Sequence, residues 1–216
     1  MPRFVYLSLL SLWCFLFCLS AKAQQNSRID SLEVKLILVP DSSRLQILFE
    51  LIDLHRANNQ ERALTYADQA ATLAEQLNRP AKQSTAHREQ ALLVMQLMAD
   101  YERALEYGYA ALETAGSDSE QRGQALLSIG QVFEEAGDQY KALQNYLEAQ
   151  PLAEQQSGAI QKIVVYNSIG RVNRLLSEFD RSREYHQQAL QIAKAQNQAQ
   201  AEAAPLFLLG QLQQAT

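Results

Sequence analysis

The chain has 216 residues, 47% of them hydrophobic, with only 8 Gly and 5 Pro, which favours one packed helical domain or a short array over a sandwich or a disordered chain. Its 19 Lys and Arg stand against 24 Asp and Glu, a net charge of −5. That balance excludes the basic footprint needed to hold a phosphate backbone, so no nucleic acid is expected as a partner.

In chain order, Met1 to Ala23 come first. Arg3 is followed by an apolar run from Phe4 to about Leu19, and Ser20-Ala21-Lys22-Ala23 has the small-x-small pattern of a signal-peptidase site. The run of about 16 residues is short for a spanning helix, which wants roughly 20. Cleavage after Ala23 and an exported, periplasmic or extracytoplasmic location are therefore expected; an uncleaved membrane anchor is the other reading. Phe17 precedes Cys18 where a lipoprotein would need a small residue. Both cysteines, Cys14 and Cys18, lie in this leader, so the remainder has no disulfide, thiolate metal site or cysteine nucleophile. Without Arg3 and Lys22 the net charge is −7.

Residues 24–40 read as a short amino-terminal segment: Gln24 to Ser27 disordered, then an amphipathic helix from Arg28 to Leu38, stopped by Pro40. Asp41 or Ser42 is expected to cap the next helix, which runs to about Ala57. Helices are then expected over 60–77, 81–98, 101–115, 119–136, 139–156, 159–176 and 179–196, with Pro80 and Gly116-Ser117 at joints. Asp100 and Asp138 are expected to cap their helices.

An internal repeat organises this region. Ala63, Ala104, Ala142 and Ser182 each open a helix after a polar break, and they recur with a period of about 40. Seven residues after each comes another alanine, at Ala70, Ala111, Ala149 and Ala189, almost on the same helical face. Twelve residues before them lie Leu51, Leu92, Gly130 and Gly170. Two helices in a hairpin approach closely only over small side chains, so Gly or Ala on the first helix should face Ala on the second. Phe133, Tyr146 and Tyr166 should then fill the wider gaps between hairpins.

The segment Ser128-Ile-Gly-Gln-Val-Phe-Glu-Glu-Ala-Gly-Asp-Gln-Tyr-Lys-Ala-Leu-Gln-Asn-Tyr-Leu-Glu-Ala149 resembles a tetratricopeptide repeat. Gly130, Phe133, Ala142, Tyr146 and Ala149 fall on that family's packing positions, and Tyr166, Gly170, Ser182 and Ala189 repeat the match. Leu51 and Leu92 depart from it. The resemblance covers about Asp41 to Thr216, with a period of about 40 against the usual 34. It implies an all-α, right-handed solenoid of stacked antiparallel hairpins, four of them over 41–200. Residues 201–216, with Pro205 to Leu212, form the first helix of an incomplete fifth unit. Exported proteins of this kind and the amino-terminal regions of bacterial sensor kinases are similar in their leader and short first helix.

Chemistry is sparse. His55, His87 and His186 do not cluster at metal-ligand spacing, and no phosphate loop or nucleophile elbow occurs. Catalysis, metals and cofactors are not expected. Adjacent acids such as Glu134-Glu135 point about 100° apart on a helix and read as a solvated face. The tyrosines at 101, 107, 109, 140, 146, 166 and 185 read mostly as core.

The resemblance implies a concave groove lined by the first helix of each unit. Its positions map onto Leu45, Leu48, Ile52, His55 and Arg56; Ala86, Glu89, Leu93, Gln96 and Leu97; Gln124, Leu127, Gln131, Glu134 and Glu135; and Val164, Asn167, Arg171, Arg174 and Leu175. Asn167, Arg171, Arg174, Gln131, Glu134, Gln96, His55 and Arg56 are the candidate peptide-binding set. Asn167, Arg171 and Arg174 share one helical face. Two readings are open for the arginines: holding a partner's carboxylate, or pairing with Glu134 and Glu135 of the neighbouring unit. The expected partner is a protein or peptide; a membrane enters only if the chain continues. Leu206, Phe207, Leu208, Leu209 and Leu212 make the last helix too apolar for a solvent-facing cap, so a further segment or self-association is expected there.

Overall fold

The computed structural model describes residues 24–155, 158–196 and 199–215, so the leader Met1 to Ala23 lies outside the described residues. Residues 24–38 form α1. There follow α2 (Asp41–Arg56), α3 (Gln60–Gln76), α4 (Pro80–Met98), α5 (Tyr101–Ala115), α6 (Ser119–Glu135), α7 (Gln139–Gln155), α8 (Ala159–Leu175), α9 (Phe179–Ala195) and α10 (Ala199–Ala215). No strand occurs among the described residues. Consecutive helices pair as hairpins α2/α3, α4/α5, α6/α7 and α8/α9, and the first helices also pack on one another, α4 on α6 and α8 on α10. That is a helical solenoid.

Local chemistry sets the ends. Asn59, Asp100 and Asp138 accept from the backbone N–H groups of Arg62, Arg103 and Lys141, each at 3.1 Å, and Asp118 accepts from Glu120 and Gln121. Caps of this kind stabilise a helix by about 1 kcal/mol. Helix α2 differs from expectation. Pro40 occupies its cap position without a side-chain bond, and Asp41, already inside the helix, pairs with Arg44 at 2.9 Å. The hairpin turn between α6 and α7 closes through Gly137 at φ 83°, and the same turn between α8 and α9 closes through Ser177 at φ 64°.

Residues 24–27 are helical, contrary to the expected disorder, because the start of α1 is tied down. Gln25 donates to the Leu54 carbonyl at 2.9 Å, Arg28 pairs with Glu50, and Ile29 and Leu32 bury against Leu51. Tyr66 adds a bond to Glu33 at 2.7 Å. At the other end α10 begins at Ala199, before the expected 201, and carries Pro205 inside it.

Packing inside the hairpins corrects a second expectation. Tyr146 is fully buried within its own hairpin, laid across Gly130, where a Cβ would come within 2.6 Å of its ring. His186 lies across Gly170 in the same way, with a Cβ there 2.6 Å from its Cε1. The glycines thus admit a ring rather than an alanine. Tyr166 does bridge hairpins, donating to Glu154 at 2.8 Å. Tyr109 and Tyr140 are exposed rather than core, Tyr140 at 77%.

Candidate functional site, the concave face of the first helices

The face formed by α2, α4, α6 and α8 has a register that burial reveals. In α6 the buried positions include Gly123, Ala125, Leu126, Ile129, Gly130, Val132 and Phe133. Helix α8 repeats them one unit later, through Ile163, Tyr166 and Gly170 to Asn173. Helix α4 repeats them one unit earlier as Ser84, Ala86, Gln90, Ala91, Leu93 and Val94. Helix α2 does so two units earlier as Leu45, Leu48, Leu51, Ile52 and His55. Ala91 and Ile52 therefore stand where Gly130 stands, not Leu92 and Leu51. A fixed count back from the second-helix alanine misplaces them because the first helices differ in length. Past this point α4 runs two residues further than α6, with a turn one residue shorter, and α2 runs one residue less.

Several expected groove residues are consequently in the core. Ala86, Leu93, Leu48, Ile52 and His55 are at most 5% exposed. His55 stacks near Tyr66, ring centroids 5.6 Å apart; burial, with Arg62 nearby, lowers its pKa. Asn167 is also buried, and its Oδ1 meets His186 Nδ1 at 3.1 Å. Burial, then Arg171 and Arg174, lowers the His186 pKa to about 4, so the ring is neutral near pH 7. In the observed register the positions expected to line the groove fall instead on Gln46, Phe49 and Asp53 of α2 and on Thr85, Arg88 and Leu92 of α4. The clue available beforehand was the turn Ala99-Asp100, one residue shorter than Ala136-Gly137-Asp138.

Most of the face's charges are matched between neighbouring units. Arg171 grips Glu134 bidentately, Nε to Oε1 at 2.5 Å and Nη2 to Oε2 at 2.8 Å, and Tyr146 donates to the same carboxylate at 2.9 Å. The hydrogen bonds to Glu134 push the Arg171 pKa up. Burial, then the Glu134 charge, raises that of Tyr146. Arg56 likewise pairs with Glu89 and, at 3.6 Å, with Asp53. Arg174 is not in an ion pair within 4 Å among the described residues, and its buried Nε has no hydrogen-bond partner. Arg88 keeps a buried unbonded Nε too, and burial lowers its pKa. Gln96 is exposed and accepts from Gln60 at 3.2 Å, and Gln131 is half-buried. So Arg171 and Glu134 are brought together, Arg56 meets Glu89, and Asn167 and His55 leave the face.

One open cleft of about 530 Å³ lies between α2 and α4, lined by Ser42, Leu45, Gln46, Phe49, Ile52, Asp53, Leu77, Arg79, Lys82, Thr85 and Glu89. Among the described residues no cluster of His, Cys, Asp or Glu could hold a metal ion. No helix there is long and apolar enough to cross a membrane.

No family model matches the chain, and no curated protein matches it in sequence. Solved structures match its fold. Aspartyl phosphate phosphatase F from Bacillus subtilis superposes with a TM-score of 0.73 at 17% identity, covering 86% of this chain and 52% of that one. A Rap protein complexed with Competence and Sporulation Factor gives 0.70 at 16% identity, covering 89% and 61%. A Signal Transduction ATPase with Numerous Domains, with a tetratricopeptide repeat sensor, from Pyrococcus horikoshii gives 0.64 at 20% identity, covering 84% and 29%. The chain spans less than two thirds of the length of each of these three structures. At such identities the likeness shows the fold alone: an all-α solenoid of tetratricopeptide-like repeats.

Proposed function

We propose that the chain is a non-catalytic protein- or peptide-binding scaffold that uses the concave face of α2, α4, α6 and α8. The observation that carries this reading is the open cleft on that face, with Phe49 half-buried in its floor and Arg79 and Lys82 at its rim outside any ion pair among the described residues. The period near 40 supports a long-repeat variant, and the leader-like Met1 to Ala23 supports export with cleavage after Ala23. Exposed Leu206 and Phe207 on α10 support packing of that helix against a further segment or a second copy.

A photo-crosslinking amino acid placed at Gln46, Thr85 or Gln124 on the concave face, or at Glu106 or Glu148 on second helices, tests the surface. Protein or peptide adducts should form from the first set. Adducts confined to the second set overturn the reading.

A second reading is the extracytoplasmic sensor region of a longer bacterial signalling protein, a kinase or regulator. It is favoured by the fold match that covers only 29% of an ATPase carrying a repeat sensor. The intact mass of the endogenous protein decides. A soluble species starting at Gln24 and ending at Thr216 supports the freestanding scaffold, and a larger membrane-bound species supports the sensor.

A further inference from the structure

The cleft between α2 and α4 is polarised along its length. Arg79 and Lys82 stand where α4 begins, beside Leu77 at the end of α3, and Asp53 and Glu89 stand further along the two inner helices. Between them lies an apolar floor in which Phe49 is half-buried and Leu45 and Ile52 are almost wholly buried. The two ends differ in how their charges are satisfied. Glu89 is held by Arg56, whereas neither Arg79 nor Lys82 has an ion-pair partner within 4 Å among the described residues. Lys82 instead rests over the Phe49 ring, its Nζ 5.5 Å from the centroid. Helix α4 carries no acid in its first turn and no side-chain cap, so the positive end of its dipole adds to the potential there. A cleft of this size accepts one large side chain.

We infer that this cleft is an anchor subsite for an acidic peptide: one large apolar side chain enters over Phe49, and a neighbouring Asp or Glu pairs with Arg79 and Lys82. The inference rests on the concave-face reading and adds the partner's chemistry. Charge complementarity selects the occupant. A basic segment would meet two unpaired cations at the mouth, and a purely apolar one would leave both of them facing it without a counter-charge. The ligand's apolar group takes the place of the Lys82 ammonium over Phe49, which frees that ammonium for the carboxylate.

A random peptide library displayed on phage, panned against the full chain and against the double variant Arg79→Glu/Lys82→Glu, tests this. The full chain should enrich Trp, Phe or Leu within two residues of Asp or Glu. A synthetic copy of the enriched peptide, followed by fluorescence anisotropy, should bind the double variant about tenfold or more weakly, and should weaken as salt rises. Panning on the variant should select Lys or Arg instead. Enriched peptides without acidic residues, bound equally by the double variant but lost on Gln131→Glu/Leu175→Glu, overturn the subsite and leave the concave-face reading standing. Enrichment insensitive to both pairs of substitutions, or no enrichment at all, overturns both.

Discussion

Hairpins α6/α7 and α8/α9 have matching backbones but different interiors. One repeat apart, Gly130 under Tyr146 becomes Gly170 under His186, Leu127 becomes Asn167, Phe133 becomes Asn173, and Gly137 becomes Ser177. The turn bonds are also retained, from Asp138 N–H to the Phe133 carbonyl and from Glu178 N–H to the Asn173 carbonyl, both at 2.8 Å. What these two hairpins share is a ring over a glycine. How polar that ring is can vary, provided a polar atom on it finds a partner: the Tyr146 hydroxyl uses Glu134, and His186 Nδ1 uses Asn167. The α8/α9 hairpin thereby buries a ring that titrates in acid, and the α6/α7 hairpin a ring that does not.

The sharpest way to break the comparison is at the glycines. Gly130→Ala drives a methyl into the buried Tyr146 ring and should lower stability by about 3 kcal/mol. Gly123→Ala, in the same helix, meets only Leu152, its Cβ at 3.4 Å, and should be neutral or gain up to about 1 kcal/mol from helix propensity. Urea unfolding of the two variants against the parent measures both. Next in size, Arg171→Ala leaves the Glu134 carboxylate, 10% exposed, without its cation. It should lose about 2 kcal/mol, discounted for the half-exposed arginine, and Arg171→Ala/Glu134→Gln should recover most of that.

Acid should separate the hairpins. The His186 pKa is depressed in the fold to about 4, from an ordinary 6.5. Between these values the unfolded chain binds more protons than the folded one. The stability from neutral His186 is therefore full above pH 6.5 and lost as pH falls toward about 4, a decrease on the order of 3 kcal/mol. His186→Phe should flatten that fall in urea titrations, the remainder belonging in part to His55, whose pKa is lowered as well. The smallest effect concerns the turn. Ser177→Gly, which copies Gly137, should raise the melting temperature slightly, equivalent to about 0.5–1 kcal/mol, by relieving a positive φ.

Helices and most of their boundaries were legible because hydrophobic spacing, Asp and Asn caps and Pro or Gly breaks all speak locally. The lateral register of the first two units was not. It depends on how far α2 and α4 run before their turns, and Leu51, Ile52, Ala91 and Leu92 are all acceptable helix formers. The groove residues inherited that shift, which is why Phe49 and Thr85 went unread while His55 was assigned to a surface it does not reach. Asn167 was misread for another reason: its partner His186 is on the second helix of the hairpin, and no local pattern couples them.

The ion pairs between first helices are unevenly distributed. Arg56 ties α2 to Glu89 of α4, and Arg171 ties α8 to Glu134 of α6. Among the described residues α4 and α6 are joined by no ion pair, and a single side-chain bond, Thr85 to Gln121 at 3.2 Å, crosses there. The middle joint is held by packing instead, with Val94, Ala104 and Val132 buried together where α4, α5 and α6 meet. High salt, by weakening the exposed parts of the two ties, would loosen the outer joints and leave the middle one as it is.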